Sequence, residues 1–91
     1  MNKKKLEIVR KKIDLVDREL LNVIAKRTSL VKKVIKIKKS RSEIVDKKRI
    51  KDVLAKIKKQ SIKKKIDTTI TNSIWKTMIK SYIMYEKKKF K

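Results

Sequence analysis

The sequence predicts an all-α fold of three helices, one long, one short and one intermediate, in a chain that must pair with a second copy of itself. Three observations carry that expectation. A ten-position stripe at helical spacing runs through the first third of the chain, Gly and Pro are absent, and 91 residues without Cys or His have few other routes to stability. A chain this short buries a modest share of its surface and leans on disulfides, a metal or a partner. Lacking Cys and His, it cannot form disulfides and has almost no means to bind zinc, haem or iron–sulfur groups. Self-association remains, and no metal is expected.

The long helix is the clearest element. Leu6, Val9, Ile13, Val16, Leu20, Val23, Arg27, Leu30, Val34 and Ile37 advance by steps of three and four, so all ten share one face and nine are apolar. The pattern predicts a helix over about 6–38, roughly 50 Å long at helical rise. Nothing in one chain of this size covers that length. A coiled-coil dimer satisfies it, as does an intertwined dimer with sites between subunits.

Ser40, Arg41, Ser42 and Glu43 break the pattern and predict a polar loop over 39–46. Asp46 then suits an N-cap, because its carboxylate can accept from free N–H groups of a helix start. A second helix over about 47–59 carries Ile50, Val53, Leu54 and Ile57 on one face, and Gln60 to Lys65 is expected to be a basic connection. Asp67 is a second N-cap candidate. It leads into a third helix over about 67–88 with Ile70, Ile74, Trp75, Met78, Ile79, Tyr82, Ile83 and Glu86, and the tail from Lys87 to Lys91 is expected to fray. No repeat or internal boundary interrupts residues 1–91, which are expected to form a single domain.

The missing Gly excludes phosphate-cradling P-loops and dinucleotide fingerprints, which need backbone without a Cβ. The net charge of +22 invites a nucleic-acid partner, since basic chains are drawn to phosphate whatever their fold. Compositional drift competes with that idea and is preferred. Only five of the 31 basic residues are Arg, and Lys fills exposed helix positions throughout. Met1 to Lys5 carries charge, but no uninterrupted apolar run follows, and no stretch reaches transmembrane length. No membrane partner is expected, and the protein is expected to be cytoplasmic.

The informative charges sit on apolar stripes. Arg27 lies within the run of ten, while Arg10, Asp17, Ile24, Val31 and Lys38 form an adjacent seven-residue line. Glu86 follows Tyr82 by four and Ile79 by seven, which puts a carboxyl group on the third helix's core-facing stripe. Asp46 and Arg49 flank the second helix's apolar face. Arg10, Arg27 and Arg49 could be satisfied by Asp14, Asp17 or Glu86, or snorkel to solvent. Taken together, several cations and one carboxyl on an otherwise apolar interior point to a pocket for a small molecule with two carboxylates, which Arg grips with a planar fork.

At this point the sequence resembles the all-helical chorismate mutase family. Val9-Arg10-x-x-Ile13-Asp14-x-x-Asp17-x-x-Leu20-Leu21 followed by Ile24-Ala25-Lys26-Arg27 is similar to that family's long first helix, and Lys38 falls eleven residues after Arg27, as its site lysine does. Asp46-x-x-Arg49 and Trp75-x-x-Met78-Ile79-x-x-Tyr82-x-x-x-Glu86 resemble its second- and third-helix motifs. The resemblance spans residues 9 to 86. It implies an intertwined homodimer with two equivalent sites that converts chorismate to prephenate, in aromatic amino-acid biosynthesis, without a cofactor. It also implies that Arg10 reaches across from one subunit while Arg27 and Lys38 hold the substrate carboxylates in the other. Lys38 and Glu86 would flank the ether oxygen, and Arg49 and Asp46 the ring-hydroxyl and carboxylate side.

The chemistry suits such residues. A pericyclic rearrangement needs no nucleophile, only a held conformer and donors at the oxygen where charge develops. Two positions depart from the family pattern: Ile50 stands where a Glu usually follows the Arg, and Tyr82 where a small hydroxyl residue usually stands. Both departures resemble the isochorismate-pyruvate lyase branch, which releases salicylate and pyruvate. Mutase remains the first expectation and lyase the alternative. A basic nucleic-acid-binding helical protein and a non-catalytic dimer rank below both.

Overall fold

The computed structural model describes residues 2–90. Among them there are three α-helices and no strand, the all-α class that the periodicity predicts. They are α1 (Lys3–Ile37), α2 (Lys47–Lys63) and α3 (Thr68–Lys89), of 35, 17 and 22 residues. A 3-10 turn at Arg41–Glu43 lies between the first two.

α1 begins three residues ahead of its apolar stripe because Asn2 caps it. The Asn2 Oδ1 accepts from the Lys5 N–H at 3.0 Å and its carbonyl accepts from Leu6 N–H at 3.1 Å. A short polar side chain there satisfies one of the donors that every helix start leaves open. The helix also ends one residue early, so Lys38 lies just past it, its N–H still bonded to the Val34 carbonyl at 3.0 Å.

Asp46 and Asp67 cap α2 and α3 as their chemistry predicts. Asp46 accepts from Arg49 N–H at 3.0 Å, and Asp67 from Thr69 N–H at 2.8 Å. The segment expected to be a connection, Gln60 to Lys65, is a correction: α2 runs on to Lys63. Its polar composition misleads because Lys and Gln are good helix formers that need no burial. Ser61 falls on the inner face, where its hydroxyl donates to the Ile57 carbonyl at 2.6 Å and so costs the helix no unpaired group.

The turn into α3 is made without glycine. Lys65 takes φ 58°, Lys65 N–H donates to the Ile62 carbonyl at 3.1 Å, and Ile66 N–H donates to the Ser61 carbonyl at 2.9 Å. This pair of bonds satisfies the Ser61 and Ile62 carbonyls in the last turn of α2 and calls for a left-handed residue at Lys65, just past the C-cap, where Gly is usual. α3 ends within a residue of the expected 88. Lys87 to Lys89 stay helical, and Phe90 N–H bonds the Glu86 carbonyl at 2.8 Å. Lys91 lies outside the described residues.

The chain divides into two compact units, one through Lys33 and one from Val34 onward. The first is helix alone, and no residue of α1 is buried. In the second, α2 and α3 pack on each other as a helical hairpin. Ser61 Oγ and Thr71 Oγ1 lie 2.7 Å apart between them, both buried. Ile44 is the one buried apolar side chain among the described residues, at 3% exposure.

Candidate functional site

Six of the residues singled out from the sequence, Lys38, Asp46, Arg49, Ile50, Tyr82 and Glu86, belong to the second unit. Arg10 and Arg27 belong to the first, where Arg10 is exposed and Arg27 half-buried.

In the second unit, the chain just past α1 meets the C-terminal half of α3. Lys38 Nζ donates to Glu86 Oε1 at 3.1 Å, an ion pair between residues 48 apart in sequence. The same ammonium donates to the Ile44 carbonyl at a longer 3.4 Å. Glu86 is 7% exposed, and the Lys38 side chain 19%. Water screens a pair this sheltered poorly, so each charge depends on the other for its solvation. Losing one partner would strand the other. An ammonium has three N–H donors, and Glu86 and Ile44 fix the directions of two.

Local helix chemistry explains how each side chain arrives. Glu86 is presented on the face of α3 that also carries Tyr82, one turn earlier and half-buried. Ile50 is half-buried near the start of α2, while Asp46 and Arg49 beside it are exposed. The Asp46 carboxylate is engaged with a backbone N–H of its own helix. Capping and ligand contact draw on different lone pairs of a carboxylate, so the cap leaves acceptor capacity.

Two residues at this centre were not among the sequence candidates. Glu43 Oε2 accepts from Ser40 N–H at 3.0 Å and also from Lys39 N–H. Ile44 follows it, buried, with its carbonyl on Lys38. A signal for Glu43 exists in the sequence, since Ser40-Arg41-Ser42-Glu43 has the spacing of a capping box. No periodicity pointed to Ile44, because it lies between helices.

A separate groove of about 400 Å³ lies between α2 and α3 nearer their turn, lined by Leu54, Ile57, Thr68 and Asn72 among others, and none of the candidates lines it. No group of three or more His, Cys, Asp or Glu among the described residues could hold a metal. No helix among them is long and apolar enough to cross a membrane.

The family described as chorismate mutase type II matches residues 9–87, a span containing every candidate from Arg10 to Glu86. The chain belongs to the chorismate mutase type II family. Searches of curated proteins and of solved structures returned no match.

Proposed function

We propose that the protein is a chorismate mutase, rearranging chorismate to prephenate with no cofactor. The sheltered Lys38–Glu86 pair carries the proposal. It supplies a fixed ammonium in a sheltered setting, the kind of donor that stabilises charge growing on an ether oxygen. Arg10 and Arg27 are assigned to the two carboxylates of the substrate, because a guanidinium grips a carboxylate with two parallel bonds. Asp46 and Arg49 are assigned to the ring-hydroxyl and carboxylate side, with Ile50 and Tyr82 lining the pocket.

The working form is proposed to be a homodimer with Arg10 donated across it. Eight of the nine apolar residues on the α1 stripe are at least 41% exposed, from Val34 at 41% to Ile37 at 76%. Covering a half-exposed aliphatic side chain is worth about 1 kcal/mol, so the stripe as a whole supplies a large driving force for pairing.

A second reading is favoured by Ile50 and Tyr82, which stand where the family usually has Glu and a small hydroxyl residue. An isochorismate-pyruvate lyase would make salicylate and pyruvate instead. Parallel incubations with chorismate and isochorismate, assayed for prephenate, salicylate and pyruvate, decide between them. Prephenate from the first with little salicylate from the second is the expected result. Salicylate and pyruvate in excess would transfer the protein to the lyase reading, and no product from either would remove both. Lys38→Met is expected to lower kcat by about 10²–10³-fold, the usual cost of one preorganised donor.

A further inference from the structure

We infer that Glu43 is a positioning residue for Lys38, acting through the backbone that follows it. The inference builds on the assignment of Lys38 as the donor in the proposed reaction. The observation is a closed circuit of contacts. The two N–H groups directly after Lys38, those of Lys39 and Ser40, both donate to Glu43 Oε2. The Arg41–Glu43 turn that this carboxylate gathers is closed by Ile44 N–H on the Arg41 carbonyl at 3.1 Å. Ile44 is thereby lodged at 3% exposure, and its carbonyl returns to accept from Lys38 Nζ.

The physical need is clear. A lysine ammonium ends a flexible four-carbon stem and has no shape of its own to hold it in place. Glu86 restrains it from one side. The Ile44 carbonyl restrains it from a second, which leaves the remaining N–H with a defined direction. That carbonyl stays in place only while the turn is held, and Glu43 holds it with two charge-assisted bonds to backbone. Glu43 is itself exposed, so its replacement removes these bonds without opening a cavity.

The test compares Glu43→Ala with Glu43→Gln, whose amide oxygen still accepts from both N–H groups. Thermal melts establish that each variant folds. The first readout is the reactivity of Lys38 in reductive methylation, mapped by mass spectrometry against the exposed Lys36 and Lys39 in the same sample. The second is kcat and KM. In Glu43→Ala, Lys38 should be modified several-fold faster, and kcat should fall about 10- to 100-fold with KM near that of the unaltered protein, as for a displaced catalytic group. Glu43→Gln should restore most of both.

Unchanged Lys38 reactivity and unchanged kcat in Glu43→Ala would overturn the inference. So would a Gln variant as impaired as the Ala variant, since acceptance from backbone would then not be what matters. If the unaltered protein turns over neither chorismate nor isochorismate, the catalytic assignment fails. Lys38 reactivity then decides alone whether Glu43 positions it.

Discussion

The α1 segment through Lys33 and the α2–α3 hairpin are both amphipathic helix, yet they stabilise themselves differently. α1 buries no residue, and its apolar face is left half-exposed along its length. The hairpin unit buries four residues among those described, and three of them are polar: Ser61, Thr71 and Glu86. One region thus carries apolar area that needs a cover. The other is pinned by a few polar contacts of fixed geometry. Apolar burial is non-directional and scales with area, so it suits assembly. Hydrogen bonds and ion pairs demand specific distances, and they suit the placing of individual groups.

The largest effect should come from breaking the first region's mode. Leu20→Asp combined with Val23→Asp puts two carboxylates on the α1 stripe, and burying an unpaired charge is prohibitively costly. Sedimentation should show the proposed dimer lost, with helical content that depends on protein concentration in the unaltered chain and collapses in the variant. An unchanged dimer would mean that the stripe is not the interface. Lys59→Glu, on the exposed face of α2, should leave assembly intact and so sharpens the contrast.

A middling effect is expected in the hairpin. Ser61→Ala leaves the buried Thr71 hydroxyl without its close partner and should cost about 1–3 kcal/mol in denaturant unfolding. Adding Thr71→Val should recover much of that, because removing both partners strands neither. If the two losses simply add, the bond between the helices is not what holds them.

The smallest effect should be a gain. Lys65 holds φ 58° with a side chain that disfavours it, and Lys65→Gly should raise stability by up to about 1 kcal/mol. The bonds that close the turn are backbone to backbone and survive the change. A thermal melt that falls instead would show that Lys65 contributes contacts which outweigh the relief.

Legibility in the sequence followed the range of the interaction. Asp46 and Asp67 were readable as caps because a cap reaches only two or three residues along the chain. The α1 stripe was readable because its period repeats many times. Gln60 to Lys63 was misread as a connection, since polar helix and polar loop share a composition, and the inner placement of Ser61 depends on α3. Lys87 to Lys89 carry no periodic signal, yet basic side chains near a helix C-terminus complement its dipole and help the last turn persist.

The all-helical class, the order and relative lengths of the helices, and the family follow from the sequence by itself, because helical period and motif spacing are local properties of the chain. The family resemblance puts Lys38 and Glu86 at one oxygen, but their direct ion pair, and the burial of Ile44 beside them, were decided only by the tertiary structure. Residues 48 apart meet where the packing of helices places them, and that depends on side chains from several segments at once.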